Sequence, residues 1–208
     1  MSDVIRSISP ADPTDELGSF SVWDVAAVAE AVGRARDAFP RWRDAGPDAR
    51  AEVLRRFRDL VAERKEELAQ LIAREMGKAL WDARGEAALL PAKVDVTLDH
   101  GMVWAEPLAA GPSARATFHP RGVLAVLGPF NFPAHLPNGH IGPALATGNT
   151  VVFKPSDLTP SVGEWMARAW RDAGLPPGVL ELVQGGAATG QALAVCPDVD
   201  GVLFTGSY

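Results

Sequence analysis

Three polar side chains, Asn131, Lys154 and Asp157, follow closely on two short apolar segments of the chain. The segments Val123–Leu127 and Thr150–Phe153 lack polar alternation, which is typical of parallel strands that are covered on both faces. In open α/β sheets, ligands bind just outside the carboxyl ends of the strands. We therefore predict that the three side chains face one ligand site.

Lys154 and Asp157 have the spacing and chemistry to hold a ribose diol. The lysine ends a strand, and the carboxylate three residues later accepts hydrogen bonds from hydroxyl groups. Because the same carboxylate would repel a 2′-phosphate, the pair predicts NAD rather than NADP as the cofactor. The alternative interpretation is a surface lysine and an aspartate that caps the helix beginning near Pro160.

Asn131 lies between two phenylalanines in a turn that is bracketed by prolines. A side-chain amide in such a turn can donate to a developing oxyanion, although asparagines commonly satisfy their own turn instead. His135, Asn138 and His140 follow in the next predicted helix. They would line a substrate passage or, as we favour, satisfy the buried start of that helix.

Glycines between strands and helices provide two further candidate contacts. The sequence has no GxGxxG after the first strand and no GxxxxGK[ST], so the usual phosphate-binding fingerprints are absent. Gly185, Gly186 and Gly190 lie between a strand and a helix, where backbone N–H groups can face a phosphate. The alternative is a turn that needs a positive φ. Thr205-Gly206-Ser207, after the last strand, is a second site of this kind.

Strands and helices alternate through residues 122–208, which predicts a parallel, doubly wound Rossmann-like sheet. Residues 1–113 are mainly helical, and residues 114–121 contain a short exposed strand. Apolar stripes at helical spacing predict three helices before that strand. The first ends at Pro40, the second runs from Pro47 to Gly77, and the third spans about Ala79–Val103 with a kink at Pro91. Residues 1–20 form a loop or an edge hairpin.

The composition excludes several classes of protein. The 208 residues are 47% hydrophobic and carry a net charge of −6, which fits a folded protein and argues against nucleic acid as a partner. No apolar run approaches the 18 or so residues of a membrane span, and the first ten residues lack the apolar core of a signal peptide. Cys196 is the only cysteine, which fits a reducing cytoplasm. We expect it to pack rather than react, and we expect no metal site.

Several ordered segments together resemble the aldehyde dehydrogenase superfamily. The resemblance runs from about Val25 to Ser207 and implies an α/β fold in which N-terminal helices pack on the cofactor-binding sheet. The segments that carry it are Gly128–Pro133, Gly142–Asn149, Lys154–Pro160, Ala173–Val179, Phe204–Ser207 and Arg74–Lys78. Within the family, His135–Ile141 and Leu182–Gly186 are most similar to the succinylglutamate-semialdehyde dehydrogenases of arginine breakdown.

The resemblance implies a role for each candidate residue. Asn131 would be the oxyanion-hole amide, and Phe130 would lie near the nicotinamide. The cofactor would be NAD, with its adenosine ribose held by Lys154 and Asp157; relatives more often carry glutamate at the latter position. Gly206 and Ser207 would begin the loop that meets the pyrophosphate. The segment 114–121 would belong to the hairpin through which relatives form dimers or tetramers, so a homo-oligomer is implied.

The family's nucleophilic cysteine and general-base glutamate follow the segment Phe204–Ser207, whereas Cys196 precedes it and the sequence ends at Tyr208. We therefore expect the catalytic domain to be absent and this part alone to be inactive. The resemblance implies oxidation of N-succinylglutamate 5-semialdehyde to N-succinylglutamate by the whole enzyme. The alternatives are a stand-alone nucleotide-binding or interaction module and, on the same fold, an acyl-phosphate or acyl-CoA reductase.

Overall fold

The computed structural model describes residues 3–206, in which seven α-helices accompany three β-sheets. The helices are α1 (Val25–Asp44), α2 (Pro47–Glu63), α3 (Lys65–Met76), α4 (Leu80–Val96), α5 (His135–Ala146), α6 (Pro160–Asp172) and α7 (Ala187–Ala194). The strands are β1 (Val4–Ile8), β2 (Glu16–Ser21), β3 (Leu108–Gly111), β4 (Ala114–Ala116), β5 (Val123–Leu127), β6 (Thr150–Lys154), β7 (Leu180–Leu182) and β8 (Gly201–Phe204). No helix within these residues is both long enough and apolar enough to cross a bilayer.

The central sheet is parallel, with the strand order β7-β6-β5-β8, and confirms the predicted α/β class. The chain moves outward from β5 through β6 to β7 and then returns to add β8 on the other side of β5. Leu127 at the end of β5 pairs with Lys154 of β6 and with Phe204 of β8. The carboxyl ends of these three strands therefore lie level, at the point where the strand order reverses, which is where such sheets bind ligands.

Strands β5 and β6 are buried on both faces, which explains why they lack polar alternation. Val123, Ala125 and Val152 face one side and pack in a cluster with α1 and α7. Val126 and Phe153 face the other side, in a larger core shared with α2 to α6. Burial of apolar surface on both faces is therefore the main force that holds the helices on the sheet.

The helix boundaries differ from the sequence predictions at three places. Helix α1 continues through Pro40 to Asp44, because Trp42 is buried beyond the proline and donates its indole N–H to the Leu145 carbonyl. The predicted second helix is two helices, since Arg64 leaves helical geometry between α2 and α3. The predicted third helix corresponds to α4, which contains Pro91 and ends at Val96. A π-helical turn and a 3-10 turn follow it as far as residue 105. Gly77 ends α3 in the left-handed conformation, as predicted.

Two antiparallel hairpins lie outside the central sheet. Strands β1 and β2 form the hairpin that was one of the two alternatives for the N-terminal residues. Strand β4 lies within the predicted exposed segment and pairs with β3. The sequence prediction divided the chain after residue 113, between a mainly helical part and the exposed strand. Because β3 lies before this boundary and β4 lies after it, the boundary divides a hairpin.

Candidate functional site

A cavity of about 800 Å³ opens at the carboxyl ends of β5, β6 and β8 and extends to α7. It brings together the predicted site residues, apart from Ser207, which lies outside the described residues. These residues are Phe130, Asn131, Lys154, Asp157, Gly186, Gly190, Thr205 and Gly206. The level strand ends produce this grouping, because each loop leaves the sheet at the same height.

Lys154 is buried beneath the cavity, so the interpretation as a surface lysine is wrong. Its ammonium group donates to the carbonyl oxygens of Pro155 and Gly185, each at 2.7 Å. Burial lowers the pKa of Lys154 below its ordinary value, while the nearby Asp157 carboxylate opposes that change. Because an ammonium has three N–H donors and described residues occupy two, one remains for a ligand.

Asp157 is exposed at the rim of the cavity, and the capping interpretation is also wrong for it. Helix α6 begins after Thr159, and neither Thr159 nor Asp157 caps it with a side chain. Since the carboxylate is not used by the helix, its oxygens are available to accept hydrogen bonds from a ligand in the cavity.

The glycines beside this pair provide space rather than an unusual backbone conformation. Gly186 has a φ of −84°, and Gly190 lies within α7, so the alternative of a turn with positive φ is wrong for both. A Cβ on Gly190 would stand 3.3 Å from Cε of Lys154, and one on Gly186 would stand 3.4 Å from an Asp157 carboxylate oxygen. Side chains at these positions would therefore crowd the two charged groups.

Asn131 and Phe130 lie exposed in the turn after β5 and line the same cavity. Among the described residues, the Asn131 side chain has no hydrogen-bond partner, so it does not satisfy its own turn. The backbone carbonyl of Asn131 instead accepts a hydrogen bond from Nζ of Lys78, at 2.9 Å. The backbone of Asn131 is thus fixed beside the cavity, while the donors of its side-chain amide are free of described protein groups.

The three polar residues in and around α5 have different environments. Asn138 is buried and donates to the Leu90 carbonyl of α4 at 3.4 Å, so it does not satisfy the start of α5 as we predicted. His140 forms a 2.9 Å hydrogen bond with the hydroxyl of Thr205 and so ties α5 to the loop after β8. Burial, assisted by the positive charge of Lys93, lowers the pKa of both His135 and His140. Both imidazoles are therefore biased toward their neutral forms.

Sequence reasoning missed two buried glutamates that support the cavity from the N-terminal helices. Glu86 of α4 accepts hydrogen bonds from the backbone N–H groups of Ala134 and His135, at the start of α5. Glu75 of α3 accepts from the N–H groups of Ser161 and Val162, in the first turn of α6. Glu86 therefore caps α5, and Glu75 caps α6, each from a different helix. The two capped helices follow β5 and β6, whose carboxyl ends border the cavity.

The sequence does contain an indirect indication of these contacts. The N-cap of α5 is Ala134, which has no side-chain acceptor, and Thr159 before α6 does not use its hydroxyl as a cap. Helix starts that are buried without a local acceptor need one from elsewhere in the fold. Which residue supplies it depends on tertiary packing and is not visible in the local sequence.

Cys196 lies away from this site. It packs beside the cluster between α1 and α7 and lines a separate groove with Val28 and Val195. That position agrees with the predicted packing role and separates the thiol from Asn131 and the cavity.

Comparisons with known proteins place the same fold in a large set of enzymes. The model of the aldehyde dehydrogenase family matches residues 1–208. N-succinylglutamate 5-semialdehyde dehydrogenase 2 of Caulobacter vibrioides is 50% identical over 204 residues, which cover 93% of this chain and 41% of that protein. The corresponding enzyme of Burkholderia thailandensis is 51% identical over 195 residues, covering 89% of this chain and 40% of that protein.

Solved structures are similar along nearly the whole chain. A variant of aldehyde dehydrogenase C from Pseudomonas syringae, in complex with NAD+ and octanal, is 36% identical with a TM-score of 0.88, covering 96% of this chain and 41% of that one. The NADP-dependent glyceraldehyde-3-phosphate dehydrogenase of Bacillus halodurans, in complex with NADP, is 33% identical with a TM-score of 0.91, covering 99% and 45%. The chain thus spans about two fifths of the length of the curated relatives it matches.

Proposed function

Because the chain belongs to the aldehyde dehydrogenase family, we propose that it forms the NAD-binding part of an enzyme that oxidises a semialdehyde to a carboxylate. The observation that supports this most is the single cavity that Lys154, Asp157 and Asn131 share. The specific reaction we propose is oxidation of N-succinylglutamate 5-semialdehyde to N-succinylglutamate, because relatives with that name are about half identical to this chain.

The residues around the cavity fit an adenine dinucleotide. Lys154 has one N–H donor left for a ribose oxygen, and the exposed Asp157 carboxylate accepts from the ribose hydroxyls. Gly186 and Gly190 leave room for the nucleotide beside these charges. Thr205 and its neighbours would meet the pyrophosphate, and Phe130 would contact the nicotinamide side.

Each part of the site has a distinct task in the proposed reaction. Bound NAD supplies the hydride acceptor for the oxidation. The Asn131 amide donates a hydrogen bond to the oxygen of the aldehyde as negative charge develops on it, which lowers the energy of the transition state. The buried Lys154 would hold the ribose of the nucleotide in the same cavity that Asn131 lines.

Cofactor choice gives a direct test of this assignment. We expect NADH to bind at least about tenfold more tightly than NADPH, because the Asp157 carboxylate repels the 2′-phosphate. The variant Asp157→Asn keeps the size and removes the charge, so the preference should fall several-fold. The measurement is a fluorescence titration of each nucleotide, with Asp37→Asn on the exposed face of α1 as the matched control. Tighter binding of NADPH to the unmodified chain, or an unchanged ratio in Asp157→Asn, would contradict the assignment.

A further inference from the structure

Lys78 lies between α3 and α4 in the sequence, yet its side chain reaches the turn that carries Asn131. Its ammonium group donates to the Asn131 carbonyl oxygen at 2.9 Å and to the Glu86 carboxylate at 2.8 Å. The same nitrogen lies 4.3 Å from the centre of the Phe132 ring, within the range of a cation–π contact. The side chain is only 11% exposed, so these partners take the place of water around the charge.

Glu86 holds the other end of the same turn. Its side chain is fully buried, and one carboxylate oxygen accepts from the N–H groups of Ala134 and His135, at 3.0 and 3.1 Å. The second oxygen accepts from Lys78. A buried carboxylate is stable only when its oxygens are satisfied in this way, so the ion pair and the two N–H contacts support one another.

No side chain of the turn from Asn131 to Ala134 holds it from within, although the Phe132 carbonyl accepts a backbone hydrogen bond from the Leu136 N–H at 3.3 Å. Its only side-chain amide, that of Asn131, has no partner among the described residues, and its other side chains are Phe132, Pro133 and Ala134. Besides that backbone contact, two charged groups from outside the sheet, Lys78 and Glu86, hold the turn. An amide that stabilises an oxyanion must be oriented before the reaction, since its contribution decreases steeply when the donor is misplaced.

We propose that Lys78 and Glu86 are positioning residues for the Asn131 amide. Lys78 fixes the carbonyl at the start of the turn, and Glu86 fixes the two N–H groups at its end. Neither side chain lines the cavity, so both act through the turn rather than on the ligand. The inference rests on the proposed role of Asn131 as an oxyanion donor.

The first experiment compares the variants Lys78→Met and Glu86→Gln with the unmodified chain by hydrogen exchange and ¹⁵N NMR. We expect the Ala134 and His135 amides to exchange about tenfold faster or more, because a hydrogen bond to a charged group is lost or weakened. The side-chain amide signals of Asn131 should shift as well. Lys65→Met, which removes an exposed lysine at the start of α3, is the matched control. Lys78→Arg should restore protection in part, since arginine keeps the charge.

The second experiment measures turnover in a chimera whose first part is residues 1–208 and whose remainder comes from the Caulobacter vibrioides relative. Lys78→Met should lower kcat about tenfold and leave KM for NAD within about twofold, because a misdirected oxyanion donor affects the transition state rather than nucleotide binding.

Unchanged exchange and unchanged Asn131 signals in the folded variants would overturn the proposal. Uniformly faster exchange across α5 and α6 would also overturn it, since that result indicates a general structural role. If Asn131→Ala leaves turnover intact, the proposed function fails, while the exchange data still decide whether the turn is held as described.

Discussion

Replacing Asn131 with alanine should lower kcat by about 10²–10³-fold in a chimera that joins residues 1–208 to the remainder of the Caulobacter vibrioides relative. The side-chain amide lies at the cavity wall, without a partner among the described residues, and its turn is held by the Lys78 contact to the backbone. Alanine keeps those backbone contacts and removes only the donor. The measurement is steady-state turnover of the semialdehyde at saturating NAD.

Two further variants distinguish loss of the donor from a general disturbance. Asn131→Asp preserves the shape of the side chain but replaces the amide donor with a carboxylate, so it should be at least as slow as Asn131→Ala. Gln70→Ala removes an exposed amide on α3 and should leave kcat unchanged. A turnover rate of Asn131→Ala within about twofold of the unmodified chimera would remove the residue from the mechanism, provided that the chimera itself is active.

Replacing Glu75 with alanine should reduce the free energy of unfolding by about 2–4 kcal/mol, since it leaves two backbone N–H groups of α6 buried without an acceptor. Glu75 is 5% exposed and also accepts a hydrogen bond from the hydroxyl of Ser7, so the loss extends to the N-terminal hairpin. Helix α6 follows the strand that ends in Lys154. We therefore expect weaker NADH binding to accompany the loss of stability. Urea denaturation measures the first quantity, and fluorescence titration the second.

Glu66 on the same helix provides the matched control for this prediction. Its carboxylate pairs with Arg84 at the surface, and the hydrogen bonds from Arg84 lower its pKa to about 2. Because exposed ion pairs are screened by solvent, Glu66→Ala should change stability far less than Glu75→Ala. Equal effects of the two substitutions would show that the cap on α6 is not the reason for the importance of Glu75.

The sheet and the edge at which its cavity opens could be predicted because their determinants are local. Two strands without polar alternation, each followed within a few residues by a polar side chain, locate both the buried layer and its carboxyl ends. Lys154 and Asp157 needed only that geometry to be assigned to one site. The end of α3 was also predictable, since Gly77 there takes a backbone conformation that glycine favours.

The features that could not be predicted from the sequence depend on contacts between residues that are distant along the chain. Pro40 usually disfavours a helix interior, but burial of Trp42 extends α1 past it. In the sequence, Glu75 and Glu86 are ordinary acidic residues within α3 and α4. Their role as caps depends on how α3 and α4 pack against helices that follow roughly fifty to ninety residues later in the chain. Local patterns do not encode such pairings, because the partner groups are backbone N–H groups, which every residue except proline carries.

We expect an adenine dinucleotide to bind across the carboxyl ends of β5, β6 and β8, held by a lysine and an aspartate rather than by a glycine fingerprint. The most direct test is titration of the ¹⁵N-labelled chain with NAD, followed by NMR. We predict saturable shifts of the Asp157, Gly186, Gly190 and Thr205 amides, with those around Val28 and Cys196 unchanged. A folded chain whose cavity amides do not respond to NAD, or whose shifts are confined to the groove between α1 and α7, would contradict this account.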